Sequence, residues 1–167
     1  MDCIFCKISS GEIPTSKIYE DPTCIAFFEL NPASQGHIVI TTKKHYEDMK
    51  LIPAQEFLNL WSIVRFLGIT LSEQLNPAGY NVLMNVGQVK NQQSKHVSIH
   101  LIPLKGDEEV FMGWKPKKVD EKNNENLANA ITIKLEQQKE EAKKQFLKHQ
   151  NEIIKVIKKE MPEKLNP

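Results

Sequence analysis

No stretch of this sequence approaches the roughly 18 uninterrupted apolar residues that a membrane-crossing helix needs. The most apolar region, residues 57–71, is broken by Asn59 and Arg65, so no membrane partner is expected. Neither sign of charge prevails: 22 Lys+Arg against 21 Asp+Glu leave a formal net charge of +1. That balance argues against a nucleic-acid binder working through a broad basic face. A basic segment followed by an apolar core is also absent from the start, Met1-Asp2-Cys3-Ile4-Phe5-Cys6, so no secretory leader is expected. Cysteine is scarce and odd in number, three residues, with Cys3 and Cys6 close together. That pattern suits a metal or redox site in a reducing compartment rather than a disulfide framework, which makes the cytoplasm the expected location. No internal repeat is visible. What remains is 167 residues, 40% hydrophobic and 26% charged, the composition of one globular domain with at most an appendage.

Short apolar runs at Ile18-Tyr19, Cys24 to Phe28 and His37 to Ile40 are separated by Asp21-Pro22 and Asn31-Pro32, which read as turns between strands. Pro53 suits the first turn of a helix, where its missing N–H costs nothing. Phe57, Leu60, Trp61, Val64, Leu67 and Leu71 then recur at three and four, giving one buried helix face. Asn76-Pro77-Ala78-Gly79 ends that helix, and Tyr80 to Asn85 and Lys95 to Pro103 read as two further strands. The body is therefore expected to be an α+β domain with a mainly antiparallel sheet. After Trp114 the composition changes: Lys115-Pro116-Lys117-Lys118 reads as a linker, giving expected domains of 1–114 and 115–167. From Asn126 to Lys159, Glu, Lys and Gln dominate without Gly or Pro, around a sparse apolar stripe from Leu127 to Ile157. This predicts one long helix or two, either packed on the body by one edge or serving as a partner-binding or dimer-bracing arm.

Two constellations carry chemistry. In His96-Val97-Ser98-Ile99-His100-Leu101, alternate side chains share a face. His96, Ser98 and His100 therefore line a front while Val97, Ile99 and Leu101 pack behind; a solvated histidine pair is the plainer alternative. Cys3-x-x-Cys6 reads as a redox pair, half of a zinc site, or chance. A redox pair usually opens a helix in a βαβ setting, which nothing nearby suggests. Cys24, within a strand, reads as an ordinary buried thiol.

Phe27-Phe28-Glu29-Leu30-Asn31-Pro32, Gly36-His37-Ile38-Val39-Ile40, Lys44-His45, Tyr80 to Gly87 and the His96 to Pro103 strand stand in one order. Together they resemble the histidine triad (HIT) family of nucleotide-binding hydrolases and transferases, over about residues 3–114. The resemblance implies a five-stranded antiparallel sheet with one main helix, usually a homodimer, and a site for a purine nucleotide resembling AMP or GMP. It implies Phe5, Ile8, Phe27 and Leu30 around the base and Glu29, where the family usually has aspartate, at the ribose. Asn85, Gln92 and Gln93 would lie near the phosphates, and His37 behind the triad. It also implies that the middle histidine of the triad attacks the α-phosphate, and here that position is Ser98.

A serine hydroxyl needs a base to become a nucleophile, and neighbours two apart on a strand point in parallel, so His100 is not expected to serve Ser98. The expectation is a site that binds with His100, Ser98 and Asn85 and hardly turns over. Asn91, Ser94 and Leu104 depart from the family pattern too, which reads as natural drift. In a subset of the family, the resemblance implies, a structural zinc is held by the counterparts of Cys3, Cys6, His45 and His96. Three functions compete: a nucleotide-binding protein with activity lost or reduced, an active phosphoramidate or dinucleotide hydrolase, and an interaction protein built around the carboxy-terminal arm.

Overall fold

A computed structural model describes residues 3–87, 94–106 and 116–160, the last five as backbone alone. The chain divides into two compact units, Met1–Gly113 and Trp114–Pro167. The first opens with a short helix, α1 (Ile4–Ser9), followed by strands β1 (Lys17–Glu20), β2 (Cys24–Phe28) and β3 (Ile38–Thr42). A long helix, α2 (Ala54–Leu75), leads to β4 (Gly79–Asn85) and β5 (Ser98–Leu104). These form one five-stranded sheet in the order β1-β2-β3-β5-β4, antiparallel at every pairing. In the second unit, α3 (Glu121–Glu160) is a single helix.

Strand alternation divides the core in two. On one side of the sheet, Leu60, Ile63, Val64 and Leu71 of α2 pack on Cys24, Ala26, Ile38, Ile40, Ile99 and Leu101. On the other, Phe5 and Ile8 of α1 pack on Ile25, Phe27 and Val39. α1 lacks a side-chain N-cap bond and is too short to hold itself, so the burial of Phe5 and Ile8 is what keeps it helical. Asn76 closes α2 in the left-handed conformation, φ 44°, a role asparagine tolerates well. Gly36, φ 88°, turns the chain into β3 beneath the end of α2. A β-carbon there would sit 2.6 Å from Leu75 Cδ1, so only glycine fits.

The register sets two rows across the α1 side of the sheet. Phe27 is opposite Val39, Val39 opposite His100, and His100 opposite Leu83; Ile25, Thr41, Ser98 and Asn85 follow in the same way. The site residues on β4 and β5 thus share one face.

Candidate functional site

Cys3 and Cys6 open α1, and the turn after β3 brings His45 to them, while the approach to β5 brings His96. The four ligand atoms all lie within 4.8 Å of one another. Cys3 Sγ is 3.5 Å and Cys6 Sγ 3.7 Å from His96 Nδ1, and Cys6 Sγ is 3.4 Å from His45 Nδ1. A zinc ion with bonds of about 2.3 Å to sulfur and 2.0–2.1 Å to nitrogen would set a tetrahedral S···N edge of about 3.6 Å. The observed edges bracket it, so the residues fit the metal.

The histidine tautomer fits as well. Thr42 Oγ1 gives its proton to the Lys44 carbonyl at 2.8 Å, so at 3.0 Å it accepts from His96 Nε2. With the proton on Nε2, Nδ1 is bare toward the sulfurs, the outer-shell arrangement that orients a metal-binding histidine. Burial, with the nearby charge of His45, holds the His96 pKa down to about 4, and burial pushes the Cys6 thiol up to about 11. Ser94 Oγ lies 3.0 Å from Cys3 Sγ, where either atom can donate, and accepts the His96 N–H at 3.3 Å. Ser94 is thus engaged with the cluster, where the residue pattern had suggested drift. Nor does the pattern announce a helix start at Cys3-x-x-Cys6, and the structure has one; the two histidines, not the helix, separate the metal reading from the redox one.

The second cluster is a directed chain of hydrogen bonds. The Ala33 N–H donates to His37 Nδ1 at 3.1 Å, which leaves the ring proton on Nε2. His37 Nε2 lies 3.0 Å from His100 Nδ1, so it donates there, and His100 carries its proton on Nε2. That nitrogen is 3.3 Å from Ser98 Oγ. Both rings are neutral near pH 7: burial, then the neighbouring His100, hold His37 down to about 4, and burial lowers His100. The structure corrects the expectation that Ser98 and His100 stay apart, since the long imidazole leans along the strand and reaches the hydroxyl. It approaches with a proton, as a donor. Ser98 is wholly buried.

The other site residues are spread around this row. Asn85 is opposite Ser98 in the register. Glu29 accepts the Asn31 N–H at 3.1 Å, and its carboxylate lies within 4.8 Å of the His37 and His100 ring nitrogens. Phe5, Ile8 and Phe27 are buried together, with the Phe5 and Phe27 rings 6.2 Å apart, whereas Leu30 is 47% exposed and outside that cluster. Asn91, Gln92 and Gln93 lie outside the described residues, and Leu104 ends β5. A groove of about 520 Å³ lies between the end of α2 and the β2–β3 connection, lined by Phe28, Ile38, Leu67, Leu71 and Leu75, with His37 and Glu29 at its margin. Its strand residues belong to the α2 side of the sheet, and its apolar lining gives little to hold a phosphate. Thr42, Ser94 and the Ala33 amide were not singled out as site residues from sequence; a threonine in a strand and a backbone N–H carry no distinguishing signal.

Comparison with known proteins places this arrangement. A family model for the HIT domain matches residues 10–107. An uncharacterised HIT-like protein of Methanocaldococcus jannaschii is 40% identical over 119 residues, 71% of this chain and 92% of the relative. The adenosine 5'-monophosphoramidase of Candida albicans is 35% identical over 146 residues, 80% of this chain and 96% of that one. A HIT family crystal structure from Bacillus anthracis superposes with a TM-score of 0.71 at 30% identity, covering 80% of this chain and 96% of its own. A zinc-bound histidine triad family protein from Mycobacterium smegmatis gives 0.61 at 25% identity, covering 70% and 85%. The sheet whose β5 strand presents Ser98 and His100 beside the Cys3, Cys6, His45 and His96 cluster is therefore that of the HIT domain, and the chain belongs to that family.

Proposed function

We propose that the protein binds a purine nucleotide on the His37, His100, Ser98 and Asn85 face and turns it over slowly or not at all. The observation that carries this reading is the chain of hydrogen bonds from the Ala33 amide through His37 to His100, which leaves the His100 Nε2 proton toward Ser98. Nucleotidyl transfer through a histidine needs a bare ring nitrogen at the nucleophile position, and a serine there needs a base. His100, the ring that reaches Ser98, arrives as a donor. Such a donor, with the Ser98 hydroxyl and the Asn85 amide, suits a phosphate oxygen better than it suits bond formation. Glu29 would accept from ribose hydroxyls, with Phe5, Ile8, Phe27 and Leu30 toward the base and Gln92 and Gln93 toward the phosphates. The phosphoramidase relative supports AMP as a trial ligand.

Cys3, Cys6, His45 and His96 would hold a zinc ion whose part is structural, clamping α1 to the start of β5. The fit of the ligand edges and the His96 tautomer supports zinc, as does the zinc-bound relative. A homodimer accords with the exposed Tyr80 and Val82 on the outermost strand, β4, and the exposed Trp61, Phe66 and Ile69 on α2. Three free cysteines accord with a reducing, cytoplasmic setting. Titration calorimetry of the full chain with AMP and GMP tests the binding half. Micromolar to millimolar dissociation constants, weakened at least tenfold by His100→Ala, are expected; no heat with either nucleotide would overturn it.

A further inference from the structure

α3 is forty residues long, about 60 Å at 1.5 Å per residue. Its apolar side chains Leu127, Ile131, Leu135, Phe146 and Ile153 are 45–62% exposed. Among its described residues, Glu136 pairs with Lys139 at 3.0 Å and Glu140 with Lys143 at 2.7 Å, both within the helix. Exposed helices gain little from such pairs, because most helical stability in proteins comes from packing an apolar face.

The face on offer has a definite pattern. Ile131, Ala142 and Ile153 recur every eleven residues, as do Leu135, Phe146 and Ile157. An eleven-residue period, 3.67 residues per turn, drifts about 20° per repeat on an ideal helix, so the strip winds gently along it and suits a shallow right-handed pairing. On a helical projection this strip is about 100° wide, and no Asp, Glu, Lys or Arg enters it from Asn124 to Val156. Its middle is Gln138. Charged residues stand along its two margins, Lys134 and Glu141 on one and Lys139 on the other.

We propose that this strip is an interface for a second copy of α3, antiparallel and centred at Gln137-Gln138. About that centre each residue faces its mirror position. Lys134 meets Glu141 of the second copy, twice by symmetry. A parallel, in-register pair instead turns Lys134 toward Lys139 of the copy and stacks Phe146 on Phe146 and Ala142 on Ala142. Margin charges of this kind choose partner and direction in paired helices, and here they choose antiparallel. The two Gln138 side chains flank the centre, within one residue's rise of each other, and a polar pair there fixes the register.

The test uses the full chain with single cysteines under mild oxidation, with the unaltered chain alongside to show what Cys3, Cys6 and Cys24 contribute. Gln138→Cys is expected to form an interchain disulfide. Gln145→Cys is not, since its two copies would lie about 20 Å apart. Lys134→Glu in the Gln138→Cys background should slow the linking on the order of fivefold, because the introduced carboxylate then faces Glu141 of the second copy. Adding Glu141→Lys should restore it. Linking through Gln145→Cys as readily as through Gln138→Cys would mean a parallel pair and overturn the proposal. Failure of Gln138→Cys to link would assign the strip to a different occupant, a membrane or an unrelated protein, and overturn it as well. Neither outcome bears on the nucleotide site.

Discussion

Thr42→Val changes one buried hydroxyl and almost nothing of the shape around it. Thr42 and His96 are both wholly buried, and Thr42 Oγ1 joins the Lys44 carbonyl at 2.8 Å to His96 Nε2 at 3.0 Å. Valine can do neither. His96 then loses one acceptor for its Nε2 proton, although the Lys44 carbonyl also favours protonated His96. With that second influence retained, the loss should fall at the low end of the 10- to 100-fold range for outer-shell changes: about tenfold in zinc affinity, or about 1.4 kcal/mol. Unsatisfied hydrogen-bonding groups would also weaken the metal-free fold by about 1–3 kcal/mol. Competition between metal-stripped protein and a chromogenic zinc chelator measures the first effect, and melting with and without zinc separates it from the second. Thr42→Ser should behave like the unaltered protein. If Thr42→Val lowers the melting temperature equally with and without zinc while affinity is unchanged, Thr42 is a packing residue and the tautomer argument fails.

Asp21 binds the β1–β2 turn to α2: its carboxylate accepts from the Thr23 and Cys24 amides at 2.7 Å each and from Asn59 Nδ2 at 2.7 Å. Asp21→Ala should therefore cost about 3 kcal/mol and lower the melting temperature by more than about 10 °C; a shift under about 2 °C in calorimetry would show the network to be idle. Because its folded pKa lies well below the usual carboxylate range, its contribution is present above pH 4 and fades as pH falls further. His37, held near 4 against an ordinary 6.5, resists a proton that the unfolded chain accepts. Denaturant midpoints should fall as pH drops from about 6.5 toward 4, less steeply in His37→Asn; equal slopes would contradict the assignment. Removing residues beyond Lys118 should leave AMP binding within about threefold by calorimetry, since Met1–Gly113 forms its own compact unit. Loss of binding with the fold retained would mean that the carboxy-terminal unit helps build the pocket.

Much of this was legible in the residues. Alternation placed Ser98 and His100 on a common face opposite Ile99 and Leu101, because the two-residue period of a strand leaves no choice once one face is apolar. The helix over Ala54–Leu75 followed from its three-and-four spacing and from Asn76, whereas the run of helix formers after Asn126 left one helix or two open, and α3 is one. Other features depend on distances that no spacing encodes. Six residues of α1 have neither length nor caps to announce a helix. The contact between Ser98 and His100 depends on side-chain length and lean, which the same-face rule ignores. Thr42 looks like any β-branched strand residue, and no spacing says that Ser94 lies 3.0 Å from the sulfur of Cys3.

The central claim is that the chemistry stops at Ser98 while binding persists. The direct measurement is steady-state hydrolysis of adenosine 5'-monophosphoramidate by the unaltered chain, Ser98→Ala and Ser98→His, with intact-mass spectrometry of each after a rapid quench in alkaline denaturant. Loss of a covalent nucleophile lowers rates by roughly 10⁴–10⁶ in enzymes of other kinds. The account therefore predicts negligible turnover and no adduct for the first two, and for Ser98→His a rise of several orders of magnitude with an acid-labile nucleotidyl adduct. Rapid turnover by the unaltered chain, abolished in Ser98→Ala, would make serine the nucleophile and contradict it.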